Sequence, residues 1–129
     1  MSVGVIDAGV AVGWFQGGHR SPPRLAQLFE SCRAGETTLF LSVVNLAEVL
    51  KVTSGLVRDT GTNPSLMLQA AGVQLHRPDE AVAYRVSKLR CSLADAFAAA
   101  TAMELGARLH TTDAELVRQL AHVRVRVTH

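Results

Sequence analysis

Short apolar runs alternate with helical patterns along this chain, and that alternation is the feature that most limits its fold. The runs are typical of buried strands. They are Val3–Ile6, Thr38–Ser42, Val73–His76, Arg108–Thr111 and Val123–Val127. Strands separated by helices are joined by right-handed crossovers, which favours parallel pairing. We therefore expect an α/β fold of three layers, in which a mostly parallel sheet of four or five strands lies between helices.

The segments between these runs carry apolar residues at helical spacing. Leu25, Leu28, Phe29 and Cys32 form such a stripe within Pro23–Arg33. The other predicted helices are Val43–Val57, Ser65–Ala71, Glu80–Leu89, Leu93–Leu105 and Ala114–Leu120. Two stretches, Gly17–Pro23 and Arg58–Ser65, are rich in Gly, Pro and small polar residues and are predicted to be loops.

Length and composition fit a single domain over residues 1–129. The chain is 48% hydrophobic, enough for a real core, and its net charge of +2 permits a local nucleic-acid contact without requiring one. Cys32 and Cys91 are isolated, which argues against zinc and for free thiols in a reducing compartment. There is no signal-peptide pattern and no apolar run of the roughly 20 residues that a membrane span needs. We expect a cytoplasmic protein without a membrane partner.

Two acidic residues follow predicted strands directly. Asp7 comes after the first strand, and Asp113 comes after the fourth. The carboxyl ends of parallel strands form the edge at which such sheets bind ligands, near a switch in strand order. Two more acids lie near helix starts: Glu48 interrupts an apolar region, and Asp95 opens a helix made mostly of alanine. A buried charge without a partner would cost several kcal/mol, so each position calls for a reason.

Helix capping is the alternative for each acid taken alone. Ser92 with Asp95 and Thr112 with Glu115 match capping boxes, Asn45 with Glu48 would be a third, and Asp7 would cap a first helix. The joint placement favours function, because four carboxylates at one edge repel one another and a divalent cation relieves that repulsion. Oxygen ligands without a thiol or histidine set indicate Mg²⁺ or Mn²⁺.

Four segments together resemble the PIN domain and, more narrowly, the VapC toxins of bacterial VapBC toxin–antitoxin pairs. They are Val5-Ile6-Asp7, Asn45-Leu46-Ala47-Glu48-Val49, Ser92-Leu93-Ala94-Asp95-Ala96 and Thr111-Thr112-Asp113. The order, the rough spacing and the total length match, and the resemblance covers essentially the whole chain.

The resemblance implies a metal-dependent endoribonuclease that hydrolyses RNA and leaves a 5′-phosphate. Asp7, Asp95 and Asp113 would hold Mg²⁺ or Mn²⁺, and Glu48 would complete the catalytic set by orienting water or a second ion. Thr111 and Asn45 would support the site. The resemblance also implies a homodimer and a VapB-like antitoxin partner. One departure is that Ala8 and Gly9 stand where members of the family often carry a hydroxyl or amide side chain.

Three basic residues, Arg85, Lys88 and Arg90, precede the Asp95 helix and are candidates for holding RNA phosphates, with a solvated helix face as the alternative. Two other functions remain open. A phosphatase or phosphotransfer domain would also place an acid after the first strand, but a second Asp is needed two residues on, where this chain has Gly9. A catalytically degenerate PIN domain would act only as a binding module.

Overall fold

A computed structural model describes residues 2–17 and 22–129, and its centre is a five-stranded parallel sheet. The strands are β1 (Ser2–Ile6), β2 (Thr37–Ser42), β3 (Gln74–His76), β4 (Arg108–His110) and β5 (Val127–Thr128). Their order across the sheet is β3-β2-β1-β4-β5, and every neighbouring pair is parallel. The chain thus builds one side of the sheet from β1 to β3 and then returns to the other side of β1 with β4.

Eight helices within the described residues connect and cover the strands. They are α1 (Ala8–Phe15), α2 (Pro23–Arg33), α3 (Val43–Val52), α4 (Ser54–Thr60), α5 (Pro64–Ala70), α6 (Glu80–Val86), α7 (Leu93–Leu105) and α8 (Ala114–Gln119). None of the described helices is long and apolar enough to cross a membrane.

The two faces of the sheet bury separate apolar clusters. Successive residues of a strand point to opposite faces, so Ile6 packs with α1, α2, α3 and α5, while Val5 packs with α7 and α8. The small side chains of Ala98, Ala99 and Ala102 bring α7 close to the sheet. This arrangement confirms the predicted three-layer α/β/α fold with a parallel sheet.

Several predicted boundaries were wrong. The helix expected over Val43–Val57 ends at Val52, because the backbone of the buried Thr53 leaves the helical region (φ −94°, ψ 5°) before α4 begins at Ser54. The loop expected over Arg58–Ser65 is short, since α4 runs to Thr60 and α5 begins at Pro64. Residues 18–21 of the loop predicted at Gly17–Pro23 lie outside the described residues.

The last strand and the first helix also differ from expectation. The strand predicted over Val123–Val127 is only β5 at Val127–Thr128, because a tight backbone hydrogen bond of 2.8 Å from Val125 N–H to the Val123 carbonyl keeps the preceding segment irregular. A helix after Asp7 was implied only by the capping alternative, and α1 is that helix. Its Trp14 stacks on Phe29 of α2 with ring centroids 4.9 Å apart.

Candidate active site

The carboxyl ends of β1 and β4 lie side by side at the switch in strand order. Ile6 pairs with His110 in the sheet, and the Asp7 N–H donates to the His110 carbonyl at 3.3 Å. β2 and β3 extend to one side of β1 and β5 extends beyond β4, so the crossovers leave this pair of strands in opposite directions. Such a switch opens a crevice at the sheet edge, and Asp7 and Thr111 both follow the strands that border it.

Asp7 is a nearly buried carboxylate at the start of α1. Its side chain is 5% exposed, and its Oδ1 accepts the Val10 N–H at 2.8 Å as the helix cap. Burial raises the pKa of Asp7 above the ordinary 3.8, while hydrogen bonds from Thr111 and from Val10 N–H work in the opposite direction. The negative charges of Asp95 and Asp113 raise that pKa further. The environment of Asp7 therefore favours the protonated form of its carboxyl group, compared with an aspartate in water.

Thr111 connects two of the acidic positions. Its side chain is fully buried, and its hydroxyl accepts the Asp113 N–H at 3.0 Å. A hydrogen bond between the Thr111 side chain and Asp7 also lowers the pKa of Asp7. Thr111 follows β4 directly and is joined to β5, because its N–H donates to the Thr128 carbonyl at 3.0 Å. One hydroxyl thus fixes the chain on both sides of the crevice.

Asp95 and Asp113 reach the same edge from helix starts on the other side of the sheet. Asp95 lies in the first turn of α7, where its N–H donates to the Ser92 hydroxyl at 3.3 Å. Asp113 is exposed and caps α8, with Oδ1 accepting the N–H groups of Glu115 at 2.9 Å and Leu116 at 3.3 Å. The negative charges of both residues raise the pKa of Asp7, after the larger effect of its burial.

The capping alternative is partly correct. Asp7 does cap α1, and Ser92 caps α7 as expected. The cap of α8 is Asp113 and not Thr112, because Asp113 has the extended backbone of a cap residue. Capping uses Oδ1 of Asp7 and of Asp113, and a carboxylate can accept from several partners through its two oxygens. Capping and ligand binding are therefore compatible at these residues.

Asn45 and Glu48 lie on α3 in different environments. Asn45 is 1% exposed and is not a cap, since Ser42 caps α3; its Nδ2 donates to the Ala94 carbonyl at 2.9 Å, beside Asp95. Its Oδ1 is buried and has no hydrogen-bond partner among the described residues. Glu48 is exposed one turn further along. The negative charges that act on Asp7 are those of Asp95 and Asp113, and that of Glu48 is not among them.

The donor set has the chemistry of a hard-cation site. Carboxylate oxygens and an unpartnered amide oxygen are ligands or water-binding groups that Mg²⁺ and Mn²⁺ prefer. In the part of the chain that the structure describes, however, no three Asp, Glu, His or Cys side chains stand close enough to surround one ion. The residues therefore fit a divalent cation by ligand type, but the described side-chain positions do not surround one.

The predicted basic residues are spread along the layer that carries α7. The Arg85 Nε donates to Glu104 Oε2 at 3.2 Å, in an exposed ion pair. Glu104 lies nine residues after Asp95, which is about 13 Å along a helix, so this pair is distant from the start of α7. Lys88 and Arg90 are exposed in the segment that leads into α7.

Two further residues lie near the crevice, and neither of them was assigned to the site from the sequence. Arg24 of α2 donates from Nη2 to the Thr111 carbonyl at 3.0 Å, a contact across 87 positions that no local pattern indicates. His110 is half-buried, and burial, followed by the positive charges of Arg24 and Arg108, lowers its pKa to about 4. It is neutral at physiological pH and packs against Gly4, where a Cβ would lie 2.8 Å from its Nε2. His110 is thus a packed residue.

Gly9 faces the same edge. A Cβ at this position would lie 3.5 Å from Asp7 Oδ1 and 3.6 Å from Thr112 Oγ1, which are ordinary contact distances. A hydroxyl or amide side chain at position 9 would therefore lie between Asp7 and Thr112.

The sequence matches the family described as the PIN domain over residues 4–122. The chain belongs to the PIN domain family. No curated protein matches it significantly in sequence. Solved structures of the same fold include VapBC2 from Rickettsia felis, bound to a DNA fragment from its promoter, with a TM-score of 0.75 and 14% identity over 98% of this chain and 97% of that one.

Two further structures have the fold of this PIN domain. VapBC-1 from nontypeable Haemophilus influenzae has a TM-score of 0.68 and 16% identity, and the match covers 98% of this chain and 96% of that chain. VapC20 from Mycobacterium tuberculosis, described as a toxin that cleaves the sarcin-ricin loop, has a TM-score of 0.61 and 14% identity over 89% and 93% of the two chains. At these identities the likeness is one of fold.

Proposed function

We propose that this PIN domain is a metal-dependent endoribonuclease and the toxin of a VapBC-type toxin–antitoxin pair. The observation that carries the proposal is the placement of a buried Asp7 at the strand switch, where burial and then the negative charges of Asp95 and Asp113 raise its pKa. A structural cap needs no such neighbours, and a cation-binding site does. The PIN family match and the toxin structures of the same fold support the same function.

Asp7, Asp95 and Asp113 are the residues that would hold Mg²⁺ or Mn²⁺. When bound, such an ion lowers the pKa of water and stabilises charge on the phosphate. Thr111 fixes the Asp7 carboxylate, and Asn45 holds the Ala94 carbonyl and thereby the start of α7 that carries Asp95. Glu48 would reach in from α3 to orient the attacking water. Neither histidine nor lysine is needed as a base, which agrees with a neutral His110.

Two basic residues are proposed to guide RNA to the site. Lys88 and Arg90 are exposed just before α7, so their charges are free to meet phosphates near Asp95. Arg85 is committed to Glu104 and is the weakest of the three candidates.

The partners and compartment are further parts of the proposal. The VapBC structures that have this fold support a VapB-like antitoxin as the partner of this chain. Exposed apolar side chains on α3, α4 and α5 offer surface for that partner or for a homodimer; they are Leu50, Val52, Leu56, Leu66 and Met67. Free Cys32 and Cys91 agree with a reducing cytoplasm.

The test is cleavage of total RNA by the purified chain in Mg²⁺ or Mn²⁺, with and without chelator. Asp95→Asn is the inactive variant, and Asp79→Asn is its control, because Asp79 is also an acid at a helix start, that of α6, but its charge is not among those that act on Asp7. We expect chelator-sensitive fragments from the wild type and the control and none from Asp95→Asn. Equal cleavage by both variants would contradict the assigned site. A folded, antitoxin-free wild type that cleaves nothing would favour the degenerate binding module.

A further inference from the structure

Arg24 brings a positive charge to the crevice from the layer opposite to α7. It is the second residue of α2, and its Nη2 donates to the carbonyl of Thr111 at 3.0 Å. Thr111 is the residue whose hydroxyl contacts Asp113 N–H and Asp7. The guanidinium therefore contacts the backbone of the residue whose side chain lies between Asp7 and Asp113, at the carboxyl end of β4.

This charge has no counterion in the described residues. The ion pairs found there join Arg33 to Glu30, Arg85 to Glu104 and Arg118 to Glu115, and all of them are on the outer surface of helices. Every Asp and Glu of the sequence lies within the described ranges. The half-buried Arg24 is thus without a carboxylate partner.

The position of Arg24 is also electrostatically unfavourable within its own helix. The start of a helix carries partial positive charge, which disfavours a cation in the first turn. The carbonyl of Thr111 uses one of the five N–H donors of the guanidinium, and no other hydrogen bond of this side chain is found among the described residues. A planar cation with free donors beside a proposed phosphodiester-cleaving site matches a phosphate group.

We propose that Arg24 binds a phosphate of the RNA substrate and positions the strand in the crevice between β1 and β4. The proposal rests on the ribonuclease function proposed above. Arg24 and the pair Lys88 and Arg90 would then hold the RNA backbone from opposite layers, with the carboxylates between them. The Thr111 carbonyl orients the guanidinium before RNA arrives.

The experiment measures binding apart from cleavage. Polyuridylate is titrated into Asp95→Asn protein in chelator over a series of salt concentrations, with and without Arg24→Gln. A contact to one phosphate of single-stranded RNA contributes about 0.7 to the slope of log affinity against log salt. We expect Arg24→Gln to lower that slope by about 0.7 and to weaken binding about tenfold, the loss typical of one hydrogen bond to a charged group.

Matched variants separate phosphate binding from a structural role. Arg33→Gln removes the same charge from the same helix at an exposed ion pair and should leave the slope unchanged. Arg24→Lys keeps the charge and should keep the slope, and it also serves if Arg24→Gln fails to fold. An Arg24→Gln protein that melts normally and keeps the full salt slope would overturn the proposal. If Arg24→Gln does not fold, an Arg24→Lys protein that melts normally but has a lowered salt slope would overturn it.

Cleavage assays on the chain without the Asp95→Asn substitution distinguish a failure of the inference about Arg24 from a failure of the proposed ribonuclease function. If the wild type cleaves RNA and Arg24→Gln raises KM with kcat unchanged, both the function and the role of Arg24 stand. If the wild type cleaves and Arg24→Gln matches it in KM and in salt slope, only the inference about Arg24 fails. If the wild type does not cleave RNA, the proposed function fails first.

Discussion

Asp7→Asn removes one negative charge from the buried end of β1 and leaves the cap of α1 in place. Asn and Asp cap helices about equally well, so the hydrogen bond from Val10 N–H to Oδ1 is retained. The substitution therefore measures how much a negative charge on Asp7, beside those of Asp95 and Asp113, lowers the free energy of unfolding. We expect the variant to be more stable than the wild type at neutral pH in chelator, because each unit by which the pKa of Asp7 is raised corresponds to about 1.4 kcal/mol.

The pH dependence has a definite sign. Because the folded-state pKa of Asp7 is raised above 3.8, the unfolded chain releases this proton at a lower pH than the folded chain. The stability contributed by protonated Asp7 is complete below 3.8 and is lost as pH rises through the folded-state pKa. The advantage of Asp7→Asn should therefore be absent near pH 3.8 and should grow toward neutrality, by about 1.4 kcal/mol for each unit between the two pKa values.

Urea unfolding of both proteins from pH 4 to 7, with the pKa of Asp7 measured by carboxyl NMR, checks this relation. For a chain of this size, 1 kcal/mol corresponds to about 4 °C in melting temperature. Asp79→Asn is the control, since Asp79 caps α6 through a 3.0 Å bond to Val82 N–H and is exposed. A loss of stability in Asp7→Asn, or a pH profile equal to that of the control, would refute the argument that this carboxylate is ionised at a cost.

Two further outcomes follow from the site and the packing. Mg²⁺ or Mn²⁺ at about a hundred times its dissociation constant should stabilise the wild type by about 2.7 kcal/mol in thermal melts, and Asp95→Asn should lose that gain; an equal shift in Asp95→Asn would place the cation elsewhere. Gly4→Ala should destabilise the fold by about 1–3 kcal/mol, because its Cβ would lie 2.8 Å from His110 Nε2 and 3.1 Å from Leu39 Cδ2. Gly55→Ala in α4 meets only Arg58 Nη2 at 3.8 Å and should gain about 0.5–1 kcal/mol; denaturant midpoints that rank the two variants the other way would contradict this packing.

The sequence predicted the layers well because their signals are local. Apolar runs and helical stripes lie within a few residues of each other, and the helices Pro23–Arg33 and Leu93–Leu105 have the predicted bounds. The alternation of Val123, Val125 and Val127 resembled a strand, but pairing begins only where β4 offers a partner, at Leu109 with Val127. The break at Thr53 is a change in the backbone angles of one residue, which periodicity does not reveal.

The candidate site was predictable to the extent that it follows strand ends and helix starts. Asp7 and Asp113 come after β1 and β4, and their proximity follows once those strands are neighbours, which the sequence does not state. Glu48 was expected to interrupt a buried face, but α3 buries a narrower face that includes Asn45, Leu46 and Val49. The contact of Arg24 with Thr111 could not be predicted, because the two residues are 87 positions apart in the sequence. A basic residue at a helix start indicates only a solvated surface.

The chemistry at the ends of the cut RNA tests the central claim most directly. If Asp7, Asp95 and Asp113 support hydrolysis by water at a cation, the fragments should carry a 5′-phosphate and a 3′-hydroxyl, and they should disappear with chelator and in Asp95→Asn. Sequencing of the fragments after ligation that requires a 5′-phosphate reads this out. Fragments with a 5′-hydroxyl and a 2′,3′-cyclic phosphate, still formed in chelator, would mean that the RNA's own 2′-hydroxyl attacks and would contradict the account.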